Sequence, residues 1–86
     1  MFFVYVVKSI KDHTTYIGGT EFLDKRIIEH NRGKTKSIKH KLPVELVYYE
    51  AYMTNTLARK REIELKKNSF AKEQLFKRIF KNGPFV

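Results

Sequence analysis

The 86-residue sequence contains no cysteine, which excludes disulfide frameworks and thiolate metal sites. It also lacks an apolar run of membrane-spanning length, so we expect a soluble protein with no membrane partner. The N-terminal stretch MFFVYVVKSI has no basic leader and no small-residue cleavage site, and we interpret it as a strand rather than a signal peptide. Together these absences favour a cytoplasmic protein.

The motifs of several common enzyme classes are missing as well. The sequence has no phosphate-binding P-loop, no nucleophile elbow, no His-Glu-x-x-His segment and no dinucleotide fingerprint. Its three histidines, His13, His30 and His40, do not have the spacing of metal ligands. A serine hydrolase or a zinc enzyme therefore has no support in the sequence.

Acidic residues are scarce relative to basic ones, and the net charge of +9 is large for so short a chain. A field of this sign attracts phosphate backbones, which makes nucleic acid the leading partner. An anionic membrane would instead favour one long basic amphipathic helix, and here the charge is spread along the chain. A basic surface that serves only solubility stays open on charge alone. The candidate phosphate contacts lie in the segment GKTKSIKHK: Lys34, Lys36, Lys39 and Lys41.

The hydrophobic periodicity predicts a single α+β domain over residues 1–86. A β-branched and aromatic run predicts a strand at 3–7, and further strands are expected at 16–20 and 44–50. Helical periodicity predicts helices over 22–32, from the cap at Thr54 or Asn55 to 67, and over 71–80. The order β-β-α-β-α-α indicates a small three-stranded antiparallel sheet flanked by helices.

Several residues punctuate these elements. Gly33 is placed to end the first helix, and a lysine-rich loop is expected over 33–41. Ser69 is the expected cap of the last helix, which Asn82-Gly83-Pro84 should end. The pair Gly18-Gly19 weakens the second strand, which suggests that another backbone or a ligand approaches it closely.

Polar side chains occur at positions that the pattern places near the core. Arg26 and His30 lie one turn apart on an otherwise apolar helical stripe, and Glu62 lies on the buried flank of its helix. Antiparallel pairing would put the phenols of Tyr5 and Tyr16 on one face. Together these groups could hydrolyse a phosphodiester: a carboxylate holds a cation, arginine binds phosphate, and a phenol or imidazole takes a proton. Taken singly, each has a structural alternative, such as a core phenol or a Glu62–Lys66 ion pair.

The sequence resembles the GIY-YIG nuclease domain superfamily in its small, stand-alone bacterial form (UPF0213-like). The resemblance covers most of the chain, from about residue 3 to 67. Five ordered segments carry it: Phe3-Val4-Tyr5, Tyr16-Ile17-Gly18, Thr20 with Leu23, Arg26 and His30-Asn31, the stretch from Pro43 to Glu50, and Ala58-x-x-Arg61-Glu62.

The resemblance implies a metal-dependent endonuclease that acts on DNA rather than RNA, with branched or damaged structures in repair or recombination as candidate substrates. Tyr5 would be the general base or water-positioning phenol, assisted by Tyr16. Arg26 would stabilise the charge on phosphorus, and His30 would support proton transfer or bind phosphate. Glu62 would hold Mg²⁺ or Mn²⁺, and the products would carry a 5′-phosphate and a 3′-hydroxyl.

Two departures from the family pattern shape the alternatives. Phe3-Val4 replaces Gly-Ile in the first triplet, although Tyr5 is kept. Relatives usually have a separate recognition domain, and we expect none within these 86 residues, so a protein partner could supply specificity. A non-catalytic nucleic-acid-binding module of the same fold stays open as an alternative. A third interpretation, a protein-interaction face formed by Phe76 and Phe80, is less favoured because that helix side is expected in the core.

Overall fold

The structure, a computed structural model, describes residues 1–80. Its elements follow the chain in this order: β1 Phe2–Ser9, β2 Thr15–Thr20, α1 Leu23–Asn31, a 3₁₀ helix Lys36–Lys41, β3 Val44–Tyr52, α2 Asn55–Lys67 and α3 Ser69–Ile79. This order confirms the predicted α+β fold. Within the described residues, no helix is both long and apolar enough to cross a bilayer. The predicted helix stop at Asn82-Gly83-Pro84 lies outside the described residues.

The three strands form an antiparallel sheet with β1 in the centre, in the order β2-β1-β3. The central position explains the continuous apolar run of β1, because a strand covered on both faces cannot alternate with polar residues. The four residues from Val4 to Val7 are each no more than 1% exposed. The register with β3 shifts by one residue between Val6 and Val7.

Helices cover both faces of this sheet. On the face that we call the α2 face, Val4 and Val6 pack with Leu65 of α2 and Leu75 of α3. The opposite face, the α1 face, carries a second core cluster built from Tyr5, Val7, Ile38 and Val44, against which Leu23, Ile27 and Tyr16 pack. The sheet therefore separates two small cores, and a side chain near β2 belongs to one or the other.

Phe76, weighed as part of an interaction face, packs against the core of the α2 face. Its ring meets that of Phe80 edge to face, with centroids 5.9 Å apart, and the Lys8 ammonium lies 5.3 Å from the Phe80 ring centroid. Phe76 is therefore a core residue, as the sequence indicated.

The predicted loop 33–41 is wrong in its second half, which forms the 3₁₀ helix. Ile38 is the reason, since burying this apolar side chain to 4% exposure draws the segment against the α1-face core. The helix stop at Gly33 is confirmed by its φ of +80°, a conformation that glycine adopts without strain.

The two later helices differ in how well their caps were predicted. Thr54 caps α2 by accepting a hydrogen bond from the amide of Leu57. The cap expected at Ser69 is wrong, because Asn68 accepts from the amide of Ala71 and α3 already begins at Ser69. Asparagine and serine are similarly good N-caps, so composition could not separate these two neighbours.

Candidate active site

Helix α1 carries its apolar stripe from the core to the rim of the fold. Leu23 and Ile27 pack on the α1-face core, and His30 is completely buried there. Arg26 lies at the edge of the stripe, where 36% of its side chain is exposed and its guanidinium is 3.4 Å from the Glu29 carboxylate. The two chargeable residues of the stripe therefore differ: His30 is inside the fold, and Arg26 is partly exposed while it hydrogen-bonds the Tyr5 hydroxyl.

His30 joins strand β1 to the segment that precedes the 3₁₀ helix. Its Nε2 lies 2.6 Å from the Tyr5 hydroxyl, and its Nδ1 lies 2.7 Å from the Thr35 hydroxyl. Burial raises the pKa of Tyr5 to about 12. Burial also lowers the pKa of His30, and the positive charge of Arg26 lowers it further. At neutral pH both rings are therefore uncharged, joined in what we call the Tyr5–His30–Thr35 chain.

Tyr16 lies on the same face as Tyr5, as the antiparallel register predicted, because it pairs with Val7 while Tyr5 pairs with Gly18. Its ring meets the His30 ring edge to face, with centroids 5.4 Å apart. Because β2 is an edge strand, Tyr16 is only half-buried, whereas Tyr5 is 1% exposed. Of the two phenols, Tyr16 is the one presented to solvent.

The glycine pair of β2 receives two side chains, one from each face of the sheet. A Cβ placed on Gly18 would lie 2.5 Å from the Tyr5 hydroxyl oxygen, and a Cβ on Gly19 would lie 2.7 Å from Oε1 of Glu62. The close approach expected at these glycines thus exists, but it is made by the protein's own phenol and carboxylate. Gly18 and Gly19 allow Tyr5 and Glu62 to converge on one short segment.

Glu62 reaches this segment from α2, with 19% of its side chain exposed. Its Oε2 accepts a hydrogen bond from the Lys66 ammonium at 2.8 Å, while Oε1 faces Gly19. The ammonium of Lys66 in turn lies 5.9 Å from the centroid of the Tyr16 ring. Lys66 therefore links Glu62 on the α2 face to Tyr16 at the open edge of the sheet.

A cavity of about 250 Å³ opens beside Glu62. Its walls include Gly19 and Thr20 of β2, and they also present Glu21 and Arg59. A carboxylate, a guanidinium and exposed strand backbone thus share one depression at the sheet edge. Sequence reasoning missed Arg59 and Glu21, because neither residue stands on a predicted apolar stripe.

The donor set fits a cation that is bound together with substrate. Within residues 1–80, no group of three or more histidine and carboxylate side chains is arranged to hold a metal ion. Mg²⁺ is commonly held by only one or two carboxylates, with water and substrate phosphates completing its shell. Glu62 and Glu21, which border the same cavity, meet that requirement.

Helix α2 is held on the sheet by a second polar group, the Glu50–Arg61 cluster. Arg61 donates to the two carboxylate oxygens of Glu50 at 2.9 and 3.0 Å, and the hydroxyls of Tyr48 and Tyr52 donate to the same carboxylate. Arg61 also donates to Glu64 at 2.8 Å. Since Glu62 follows Arg61 in the chain, this cluster fixes the helix turn from which Glu62 extends.

The four lysines expected to bind phosphate are not equivalent. Lys34, Lys36 and Lys39 are exposed. Lys41 instead donates to the Thr14 hydroxyl at 2.9 Å and lies 3.5 Å from Asp12, so it ties the 3₁₀ helix to the β1–β2 connection. Within the part of the chain that the structure describes, only the first three present ammonium groups without such a contact.

Two positioning residues had weak signals in the sequence. Thr35 sits between two lysines of a segment that reads as a charged loop, and only its five-residue separation from His30 hints at a contact. Asn31 pairs with the backbone of Val44 in both directions, at 2.8 and 3.0 Å, and so joins α1 to β3. Such a link depends on tertiary placement, which periodicity does not report.

The chain is similar to proteins of a described family. The family model of the GIY-YIG catalytic domain matches residues 1–74. A UPF0213 protein of Staphylococcus epidermidis is 44% identical over 78 residues, which are 90% of this chain and 92% of the relative. A UPF0213 protein of Staphylococcus aureus is 45% identical over 65 residues, 74% of this chain and 78% of the relative.

A related fold has also been solved by NMR, that of a UPF0213 protein from Bacillus halodurans. It is 35% identical and aligns with a TM-score of 0.53 over 87% of this chain and 82% of its own. The names of these relatives specify no activity, whereas the family model describes a catalytic domain. The chain therefore belongs to the GIY-YIG family of nuclease domains.

Proposed function

We propose that this protein is a divalent-metal-dependent endonuclease that hydrolyses phosphodiester bonds of DNA. The observation that carries the proposal is the approach of Tyr5 and Glu62 to the glycine pair of β2, with Arg26 hydrogen-bonded to the Tyr5 hydroxyl. The proposed setting is the cytoplasm, with branched or damaged DNA of repair or recombination as substrate. Family membership supports nuclease chemistry, and the net charge of +9 supports a nucleic-acid partner.

Arg26 and Glu62 are proposed to act on the scissile phosphate. The partly exposed guanidinium of Arg26 can bind two phosphate oxygens and follow the negative charge that grows on them during attack. Glu62, with Glu21 beside it, would hold Mg²⁺ or Mn²⁺, whose charge would polarise a phosphate oxygen. Lys66 must then release Oε2 or share it, since it occupies that oxygen in the absence of substrate.

The proton of the attacking water is proposed to pass to the Tyr5–His30 pair. With a pKa of about 12, Tyr5 is almost never ionised at neutral pH and cannot serve as a free phenolate. It can accept a proton from water if its own proton moves to Nε2 of His30, 2.6 Å away. Tyr16, the more exposed phenol, is placed to hold that water.

This arrangement narrows the role of His30. The ring has no exposed surface, and both nitrogens already face hydroxyl groups of the protein. Direct phosphate binding, one of the two roles considered for it, therefore does not suit the geometry, whereas proton transfer does. The lowered pKa keeps the ring neutral and able to accept a proton at neutral pH.

The alternative is a module of the same fold that binds nucleic acid without cutting it. The exposed lysines Lys34, Lys36 and Lys39 serve either function, because phosphate contacts position a protein whether or not it is a catalyst. Glu62 favours catalysis, since a carboxylate facing a phosphate repels it unless a cation lies between them. A protein partner that supplies specificity is compatible with both functions.

The test is cleavage of labelled single-stranded, duplex, flap and four-way DNA in Mg²⁺ or Mn²⁺, with RNA of matched sequence alongside. Wild type is compared with Glu62→Gln and with Glu64→Gln, a matched control on the same helix whose carboxylate pairs with Arg61 outside the cavity. We expect cleavage by wild type and Glu64→Gln, and none by Glu62→Gln. Full activity of Glu62→Gln would overturn the assignment of the metal ligand.

DNA binding is measured on the same proteins across a range of salt. We expect replacement of Lys34, Lys36 and Lys39 by alanine to weaken binding and reduce its salt dependence, and Lys41→Ala to change both less. Binding without cleavage, in wild type and variants alike, would favour the non-catalytic module or a nuclease that requires a partner.

A further inference from the structure

The proton transfer from Tyr5 to His30 is possible in only one of the two neutral tautomers of the imidazole. If Nε2 already carries the hydrogen, the ring donates to Tyr5 and cannot accept its proton. If Nδ1 carries it, Nε2 has a free lone pair and Tyr5 donates to it. The hydrogen bonds of both nitrogens decide which of these neutral forms is present, and the partner of the second nitrogen makes one of them. Here that partner is Thr35, whose hydroxyl lies 2.7 Å from Nδ1.

The burial of the two hydroxyls separates the two forms. Tyr5 is 1% exposed, and its hydroxyl lies 2.6 Å from Nε2 of His30. The guanidinium of Arg26, which also hydrogen-bonds this hydroxyl, can donate but cannot accept. A hydrogen on Nε2 would leave the phenol hydrogen buried without an acceptor, which is unfavourable. Thr35 is only half-buried, so its hydroxyl can accept from Nδ1–H and still donate to solvent. Every hydrogen has an acceptor only when Nδ1 carries the ring proton.

We propose that Thr35 is a positioning residue that holds His30 in the Nδ1–H form and thereby leaves Nε2 ready to accept the Tyr5 proton. The inference rests on the proposed nuclease function for its consequence, although the protonation state itself does not depend on it. During attack, the water oxygen bonds to phosphorus while one water O–H bond breaks and a new Tyr5 O–H bond forms. The bond from phosphorus to the 3′ oxygen breaks, and that oxygen leaves as a hydroxyl with a proton from solvent. The former phenol hydrogen moves to Nε2, and the resulting imidazolium keeps its Nδ1–H bond to Thr35.

The placement of Thr35 gives this role a structural cause. Thr35 lies between Lys34 and Lys36, directly before the 3₁₀ helix, and its carbonyl accepts from the amide of Ile38 at 3.2 Å. Ile38 is buried in the α1-face core, so it anchors the backbone that carries the threonine hydroxyl. Through Thr35, the segment that presents the exposed lysines is thus hydrogen-bonded to the His30 ring.

The first test is heteronuclear NMR of the imidazole nitrogens in wild type, Thr35→Val and Thr35→Ser. We expect a pyridine-like Nε2 and a pyrrole-like Nδ1 for His30 in wild type and Thr35→Ser. Valine offers no acceptor, so Thr35→Val should shift the ring toward Nε2–H. An Nε2–H ring in wild type, or an unchanged ring in Thr35→Val, would overturn the proposal.

The second test is kinetic and uses Thr56→Val as the matched control, because Thr56 is exposed on α2. We expect Thr35→Val to lower kcat by about 100-fold, within the usual range for general base catalysis, with little change in KM. Thr35→Ser should recover most of the rate, and Thr56→Val should resemble wild type. Equal kcat in Thr35→Val and wild type contradicts the positioning role. If wild type cuts nothing, the proposed function fails, and the NMR result still decides the protonation state.

Thermal unfolding and the backbone NMR spectrum of each variant check that the fold is kept. A Thr35→Val protein that is folded and carries the Nδ1–H ring, yet has lost activity, would place the threonine in another role and refute this one.

Discussion

Residues 1–80 contain two polar clusters around tyrosines, and the clusters differ in charge. The Glu50–Arg61 cluster on the α2 face is ionic: one carboxylate receives a bidentate arginine and two phenol hydroxyls. The Tyr5–His30–Thr35 chain on the α1 face is uncharged, and each ring nitrogen meets one hydroxyl. The first cluster fills every acceptor position of its carboxylate, whereas the second retains groups whose hydrogens can move.

The pKa directions express the same difference. Burial works against the charge of Glu50, but hydrogen bonds from Arg61, Tyr48 and Tyr52 outweigh it and lower the pKa of the carboxyl. At His30, burial and the charge of Arg26 outweigh the opposing effect of the Glu29 carboxylate, so its pKa falls and the ring stays neutral. A saturated ionic cluster stabilises one arrangement, while a neutral chain can pass a proton along. From this difference we expect the Glu50–Arg61 cluster to stabilise the fold and the Tyr5–His30–Thr35 chain to transfer a proton.

Tyr5→Phe should have the largest effect and should act on catalysis. Removal of the hydroxyl deletes the proton acceptor, so we expect kcat to fall by about 10²- to 10⁴-fold. Stability should fall by only about 1–3 kcal/mol, because Nε2 of His30 loses its buried partner. Steady-state cleavage and urea unfolding measure the two effects. If the variant is destabilised but fully active, the Tyr5–His30–Thr35 chain has a structural role only.

Glu50→Ala should show the opposite balance. It leaves the Arg61 guanidinium and two phenol hydroxyls without their acceptor, and we expect a loss of about 2–3 kcal/mol in the free energy of unfolding. Arg61 keeps 24% of its side chain exposed, which limits the penalty. The matched control is Glu64→Ala, whose more exposed carboxylate should contribute below about 1 kcal/mol. At temperatures where it remains folded, Glu50→Ala should retain kcat within a few-fold, and a loss as large as that of Tyr5→Phe would contradict the comparison.

The two glycines of β2 allow a comparison of how firmly Tyr5 and Glu62 are held, by the addition of one methyl group beside each. In Gly18→Ala the new methyl meets the buried Tyr5 phenol, which has no room to retreat, and we expect a loss of about 1–3 kcal/mol in stability together with most activity. In Gly19→Ala the methyl meets the end of the Glu62 side chain, which can rotate away. That variant should therefore lose activity while stability changes by less than in Gly18→Ala. Equal stability losses in the two variants would show that Glu62 is as fixed as Tyr5.

These contrasts also indicate what sequence reasoning could reach. The apolar run of β1 predicted a buried strand, because a central strand of a sheet covered on both faces has apolar side chains on both sides. The stripe from Leu23 to His30 placed α1 correctly, since helical periodicity reports which side is buried. The family resemblance then pointed to Tyr5, Arg26 and Glu62, whose roles stay predictions.

Other features depended on contacts that no local pattern records. The approach of Tyr5 and Glu62 to β2 from opposite faces follows from the sheet order, and the glycine pair signalled only that some close approach occurs. The 3₁₀ helix depends on Ile38, a lone apolar residue among lysines, which carries no periodicity. Thr35 was missed for the same reason, because its role depends on a tertiary contact with the His30 ring that the local sequence does not show.

The smallest expected effect is that of pH on stability. It distinguishes the two clusters because His30 and Glu50 titrate in different pH ranges. His30 has its pKa lowered below the ordinary 6.5, so the unfolded chain takes up a proton before the native protein does. The stability due to the neutral ring is therefore complete above pH 6.5 and is lost as pH falls through the lowered pKa. Glu50, whose pKa is lowered from 4.5, begins to lose its contribution only below that value. The free energy of unfolding, measured in urea from pH 7 to 4, should thus begin to fall where His30 titrates, before Glu50 contributes to the loss.

Activity should follow the same ring rather than Glu50. The groups that face His30 are the phenols of Tyr5 and Tyr16, the guanidinium of Arg26, which lowers its pKa, and the Glu29 carboxylate, which opposes that effect. Because the proton acceptor must be neutral, kcat/KM should rise with pH through the lowered pKa of His30 and then stay level, since Tyr5 ionises only near 12. The NMR titration of the His30 ring supplies the independent pKa. A rate that rises at a pH clearly above this pKa would remove His30 from the proton route, and the neutral chain would then be as purely structural as the ionic cluster.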